Sequence, residues 1–340
     1  MSTMDLVFVI VVSVTSFLSI PSCVIIVVMY MAIKSLRTTG RAMLVQLTIA
    51  DLLTAIGNLM GVMWFLFRDS EILNSSMVYC EFHSALTIFS SIASFLWTTV
   101  TGISLYWAIV MNKPNTADKY WVHIWLICWV VPSAITVAAL YMRVLGYDAN
   151  LNQASWCWID PGADLMVMWN FLTGKAWELM AYVLSVVLFG AVKLHLIRHK
   201  SMSKRVMGRQ SGRKGNKVSN ASAKLTFIPL VFIVIRLWGT VRFMWGFIDH
   251  DSASSPSASW IVPLQGFGDT AQGVCNFVMD VLFAQNVRRH LFRACAGGSE
   301  NSPAERTCSG TGDNPKPRLG TISDCGQNVH QNRAFCETEN

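Results

Sequence analysis

Long apolar blocks separated by short polar connections set the pattern of this chain. Seven blocks have about the 20 residues that a bilayer core requires. They run over about 6–33, 42–67, 82–111, 121–141, 170–197, 225–247 and 260–284. In hydrocarbon each must be a helix, because unpaired backbone groups find no water there. The pattern therefore predicts an all-α membrane protein, a seven-transmembrane helix bundle. Pro21, Pro132, Pro229 and Pro263 lie inside or near the ends of blocks. There they start or kink helices, and neighbouring helices satisfy the freed carbonyls. The block that opens at Leu6 has no basic segment before it and exceeds the apolar length of a signal peptide. It is expected to stay as the first helix.

Composition agrees with lipid as the solvent. Of 340 residues, 53% are hydrophobic and 14% charged, against about 25% charged in soluble domains. The net charge of +7 raises the question of nucleic acid, but its distribution follows the positive-inside bias. Lys34, Arg37 and Arg41 lie in the first connection, and Lys113 and Lys119 in the third. The 198–224 loop is densely basic, and Arg288, Arg289 and Arg293 follow the seventh block. The alternate connections hold only Arg68, Arg143 and Lys175. The basic side is thus expected in the cytosol, with residues 1–5 outside and 6–284 as the membrane domain. The basic loop between two spans reads as a docking loop or a contact with anionic lipid.

Beyond the seventh block, Val287, Leu291 and Phe292 share one helical face with arginines around the rest. Residues 285–295 are predicted as a short amphipathic eighth helix on the inner membrane surface. Cys295 at its end is a candidate palmitoylation site, with an unmodified thiol as the alternative. Residues 296–340, rich in Ser, Thr, Gly, Asn and Pro, are predicted to be a disordered cytoplasmic tail.

The stretch from Gly146 to Glu178 divides the chain into two halves of a bundle. Cys157 in it and Cys80 at the head of the third block both face the oxidising side. A Cys80–Cys157 disulfide over the bundle mouth is the expected pairing. Cys23, Cys128 and Cys275 lie within spans and read as packing residues. Asn74-Ser75-Ser76 is a glycosylation sequon in an outer loop, close to the bilayer.

Charged residues inside spans are costly and point to function. They are Asp51, Glu178, Arg236, Arg242, Asp269 and Asp280. At 1.5 Å per residue, Asp51 falls in the inner half and Arg236 near mid-depth. Glu178, Arg242 and Asp269 fall in the outer half. One reading makes Lys175, Glu178, Arg242, Asp269 and Trp158 the ligand-binding candidates. Asp51, Arg236, Gln272 and Asn276 are then a polar core that can switch. The other reading is internal ion pairs, such as Arg242 with Glu178 or Asp269. Lys175 and Glu178, three apart on one helical face, also suit a local pair.

Enzyme signatures are missing: the chain has no zinc-type His/Cys spacing, no phosphate loop and no Gly-x-Ser-x-Gly elbow. The expectation is no catalysis, no cofactor and no metal. The seventh block has no lysine for a retinal linkage, and two matching halves with broken helices, as in many transporters, are not evident.

Seven spans, the cysteine staple, a basic third inner loop and an eighth helix together resemble a G-protein-coupled receptor. Leu47-Thr48-Ile49-Ala50-Asp51 resembles the rhodopsin-like signature of span two. Trp129-Val130-Val131-Pro132, Cys157-Trp158 and Gln272-Gly273 resemble secretin and adhesion receptors instead. The mixture resembles the cyclic-AMP-receptor-like branch. Gly146-Tyr147-Asp148-Ala149, Leu172-Thr173-Gly174-Lys175 and Thr240-Val241-Arg242-Phe243 are similar to the orphan G-protein-coupled receptor 157 family. This resemblance covers roughly residues 40–295. It implies a plasma-membrane receptor, with the cilium as a further location. It implies coupling to a heterotrimeric G protein of the Gq type, and through it to phospholipase C and calcium. No ligand comes with it.

The inner end of span three reads Ser104-Leu105-Tyr106-Trp107-Ala108, without the Asp-Arg-Tyr triad of rhodopsin-like receptors. By position alone, Lys193, Arg198 and Lys224 are the candidate G-protein contacts. A transporter or channel-like protein, or a scaffold acting through its tail, are the competing classes. Solute flux without a G protein, or loss of all activity on tail deletion, distinguishes them.

Overall fold

The computed structural model describes residues 3–34, 37–67, 77–147, 157–206, 228–249 and 258–279. Asn74, Lys224, Asp280, Cys295, the 285–295 segment and the 296–340 tail lie outside them. Among the described residues, six helices are long and apolar enough to cross a membrane. Four of them are Thr3–Ala32, Thr39–Phe67, Met77–Ile109 and Trp121–Tyr141. A four-residue helix, Thr116–Lys119, joins the third to the fourth. The fifth opens as Met166–Asn170, passes through a π-helical turn at Phe171–Lys175 and continues as Ala176–Val206. The sixth is Ile228–Ile248.

The seventh span differs from the sequence expectation. It is not one helix over 260–284 but two pieces, Ile261–Thr270 and Gln272–Phe277. A side chain from span one causes the break. Ser19 Oγ donates to the Thr270 carbonyl at 2.5 Å and accepts from the Val274 amide at 3.4 Å. Those two backbone groups are the ones an uninterrupted helix would join. A hydroxyl inserted into the hydrogen-bond ladder is a recognised source of helix bending. Thr270 adds to it, because its hydroxyl donates to the Gly266 carbonyl at 2.8 Å and also meets the Thr15 hydroxyl of span one.

Polar residues turn inward and apolar residues outward, the inverse of a soluble bundle. Ser90, Ser94, His83, Asp51 and Asn58 are buried, while Phe17, Val137 and Val183 are each 63% exposed. Hydrocarbon removes the hydrophobic drive between helices, so close backbone approach and polar contacts hold them. Span three is the centre, with the largest buried share of the six. Its Trp97 lies 6.1 Å from Trp121 and 6.3 Å from Trp129, ring centre to ring centre. Trp129 Nε1 in span four donates to Gln46 Oε1 in span two at 3.0 Å. Asp51 joins three spans: Ser94 Oγ donates to its Oδ1 and Asn276 Nδ2 to its Oδ2, each at 2.6 Å.

Span seven approaches its neighbours through glycine. A Cβ added at Gly268 would lie 1.9 Å from the Ile235 carbonyl oxygen of span six, and one at Gly273 would lie 2.5 Å from Cys23 Sγ of span one. Backbone cannot move aside as a flexible side chain can, so Gly268 sets the distance between spans six and seven.

Between spans four and five, strand β1 (Leu145–Tyr147) pairs antiparallel with β2 (Cys157–Ile159), Gly146 facing Trp158. Cys157 is bonded to Cys80 at the head of span three. Gly162 N donates to Asp160 Oδ1 at 2.8 Å just after the hairpin and turns the chain toward span five.

Gly268→Ala should lower stability by about 1–3 kcal/mol or more, as overpacking against backbone does. Gly190→Ala, where nothing lies within 4 Å, should be neutral or gain up to about 1 kcal/mol from helix propensity. Thermal midpoints of the two purified variants check the contrast.

Candidate functional site

Below the hairpin lies a cavity of about 210 Å³. Spans one, two, three, five, six and seven and the hairpin line it. The five residues proposed from sequence as a ligand site, Trp158, Lys175, Glu178, Arg242 and Asp269, all reach this one space. Arg236, placed by sequence in the deeper polar core, also lines it. Asp51, Gln272 and Asn276 are not among the lining residues. Asp51 and Asn276 bond each other, and Gln272 is buried on the same short helix as Asn276.

The π-helical turn governs the span-five wall. A π turn widens the helix by a residue and shifts the register beyond it. Thr173, Gly174 and Lys175 of this turn, with Glu178 one turn on, all border the cavity. A Cβ at Gly174 would sit 3.4 Å from Trp158 Cζ2, so the missing side chain leaves room for the indole of β2.

Glu178, 5% exposed, accepts from three donors. Lys175 Nζ reaches its Oε2 at 2.7 Å, while Tyr182 Oη at 2.6 Å and Thr240 Oγ1 at 2.8 Å share its Oε1. A buried carboxylate is tolerated when its lone pairs are filled in this way. Lys175 also lies over the Phe243 ring, 5.5 Å from its centre.

Arg236 Nη1 contacts Asp269 Oδ1 at 3.3 Å, and its guanidinium lies 5.1 Å from the centre of the Phe95 ring. Its Nε and Nη2 are buried with no hydrogen-bond partner among the described residues. Asn58 Nδ2 donates to the Asp269 carbonyl at 3.4 Å.

The ion-pair reading of the sequence assigned Arg242 to Glu178 or Asp269, and helical spacing also offered Lys175 as a local partner of Glu178. In the structure Glu178 pairs with Lys175, Asp269 pairs with Arg236, and Arg242 Nη1 donates to Gln265 Oε1 at 3.0 Å. The antiparallel register of spans six and seven explains this. Moving up from Arg236 to Arg242 corresponds to moving back from Asp269 to Gln265, so each arginine meets the residue at its own depth.

Sequence reasoning passed over Tyr182, Thr240, Gln265 and Asn58. A signal was present for three of them, since Tyr182, Thr240 and Gln265 lie four residues from Glu178, Arg236 and Asp269. One helical turn puts each beside a charge. Lys193 and Arg198 are exposed on span five. They lie 15 and 20 residues beyond Glu178, about 22 and 30 Å along the helix axis, toward the end away from the hairpin. Lys193 Nζ is 5.8 Å from the Phe189 ring centre.

A cavity lined by charged and aromatic side chains inside a lipid-facing helix bundle, roofed by a disulfide-held hairpin, is the architecture of seven-helix membrane receptors. Squid rhodopsin has the same fold: its structure matches with a TM-score of 0.65, covering 86% of this chain and 88% of that one at 14% identity. The family model described as 7 transmembrane receptor (Secretin family) matches residues 5–261. G-protein coupled receptor 157 of Mus musculus is 37% identical over 84% of this chain and 83% of its own length. The Homo sapiens protein of the same name is 37% identical over 83% and 82%. The chain belongs to the secretin-type seven-transmembrane receptors, in the family of G-protein coupled receptor 157, and is a multi-pass membrane receptor of the G-protein-coupled class. This is a family of receptors and not of enzymes.

Thr240→Val and Tyr182→Phe each remove a donor from the same Glu178 oxygen and should each cost about 1–3 kcal/mol. The double variant should depart from the sum, because the two hydroxyls lie 3.2 Å apart and donate to the same carboxylate oxygen. Thermal unfolding of the three variants reports the coupling.

Proposed function

We propose that this chain is a plasma-membrane receptor with its N-terminus outside, activating a G protein of the Gq type and through it phospholipase C. The observation that carries the reading is the cavity itself. It gathers charged residues of spans five, six and seven in one space beneath the hairpin, at the end opposite the basic connections. A ligand held there touches span six through Arg236 and Arg242 and span seven through Asp269. It favours an arrangement in which span six moves at its other end, and the G protein binds the cleft that opens. Ligand and G protein favour one state, so each raises affinity for the other.

Glu178, Lys175, Arg242, Asp269 and Trp158 hold the ligand in this reading. Asp51, Arg236, Gln272 and Asn276 relay the change, and Lys193, Arg198 and Lys224 face the G protein. Pro229, the second residue of span six, is the flex point. Asn74 carries glycan, Cys295 carries palmitate beside the 285–295 membrane-surface helix, and the basic segments contact anionic lipid. The Gq assignment and the ciliary location come from the family resemblance alone.

Cells expressing tagged receptor should accumulate inositol phosphate in proportion to surface level, and a selective Gq inhibitor should remove the signal. A change in cyclic AMP alone would keep the receptor and overturn the coupling. Arg242→Gln should abolish the response to an agonist at unchanged surface level. Unchanged potency would remove Arg242 from the site.

A further inference from the structure

Taking the cavity as the ligand site proposed above, its charges can be balanced one by one. Among the described residues that line it, Lys175, Arg236 and Arg242 are cations and Glu178 and Asp269 are carboxylates. Three against two leaves one positive charge among the lining side chains, and the buried Asp51 carboxylate of another layer also acts on Arg236. Glu178 is satisfied by Lys175 and two hydroxyls, and Arg242 Nη1 turns to a neutral amide oxygen.

Arg236 is the group with unused capacity. It is 4% exposed, and Asp269 meets only its Nη1. Nε and Nη2, which form one edge of the guanidinium, are buried without an acceptor. Burying such donors unfilled costs more than a neutral hydrogen bond returns. The edge that Nε and Nη2 share matches the two oxygens of a carboxylate. The cavity that Arg236 lines also presents apolar and aromatic side chains, Phe8, Ile88, Phe95, Trp158, Phe243 and Val262, beside hydroxyls such as those of Thr87 and Ser91.

We propose that the cavity binds a small organic monocarboxylate with an apolar body, its carboxylate received by the Nε–Nη2 edge of Arg236. One negative charge neutralises the excess, whereas a phosphate monoester, with close to two charges, overshoots it. The carboxylate draws the unfilled edge toward the cavity, and the guanidinium gains the acceptors it lacks. Phe95 backs the guanidinium, and the remaining aromatic walls take the apolar body. The proposal rests on the receptor reading for its consequence but not for its test, which reads binding directly.

The probes are arylalkanoic and straight-chain carboxylic acids of rising length, each beside its primary amide, with 2-phenylethyl phosphate as the dianion. The full chain is held in lipid nanodiscs, and thermal unfolding is followed by tryptophan fluorescence. At least one acid should raise the midpoint by roughly 2–4 °C at saturation, with its amide and the phosphate having little effect. Arg236→Lys keeps the charge but loses the fork. It should need roughly tenfold more acid for the same shift. Gly190→Ala, on span five outside the cavity lining, should retain acid binding, and an unchanged ligand-free midpoint of Arg236→Lys guards against simple misfolding of that variant.

Amides that shift the midpoint as much as acids, a larger shift with the phosphate, an unaltered response in Arg236→Lys, or no shift with any acid would each overturn the proposal. Inositol phosphate measured in parallel separates the two readings. Acid binding without Gq output would leave the carboxylate site and remove the Gq assignment. Gq output without acid binding would do the reverse.

Discussion

A charge inside hydrocarbon must find its partner within the protein, and the arrangement of this bundle follows from that constraint. Asp51, Glu178, Arg236 and Asp269 all lie within spans, and each is held by groups from other spans or from its own next turn. Spans two, three and seven are joined through Asp51, five and six through Glu178, six and seven through Arg236 and Asp269. The lipid-facing surface carries little that is specific, and the specificity of assembly lies in these contacts. Polar interactions among membrane helices are individually modest, but here one carboxylate serves as acceptor for several helices at once.

Span seven shows how the constraint becomes architecture. Its glycines let span six approach to backbone contact at Gly268, and its helix is opened by Ser19 of span one. The break needs no proline, because a hydroxyl from a neighbouring helix takes both of the backbone groups it separates. The opened turn lies between Asp269, which borders the cavity, and Asn276, which binds Asp51. A residue that lines the cavity and a residue that binds Asp51 thus sit on two short helices with a joint between them. Movement at the joint can pass from one layer to the other without bending a continuous helix.

The cavity inherits its character from the same pairing. Glu178 is filled and Arg236 is not, and both lie in one space beneath the hairpin. A structural ion pair has its donors and acceptors matched. Arg236 has an edge left over, so its contact with Asp269 does not use all of its donors.

Much of this was legible in the chain. Block length and the absence of water in a bilayer dictate helices, so the ends of spans one, two, four and six lie within a few residues of the sequence estimate. Two cysteines on one side of the membrane dictate the staple of Cys80 to Cys157. Rare charges in apolar blocks mark Glu178, Arg242 and Asp269, and depth along a straight helix brings them to one level. What the sequence left open was decided by register between helices. The sequence offered Arg242 as the partner of Asp269, and only the packing of spans six and seven through Gly268 gave that carboxylate to Arg236. Ser19 was one serine among many in a polar-poor span until it met Thr270. The π turn at Phe171–Lys175 is a tertiary accommodation with no periodicity of its own. Periodicity and hydropathy are local properties, so a single chain displays them. Which cation meets which carboxylate depends on the rotation and offset of whole helices, and those exist only in the packed bundle.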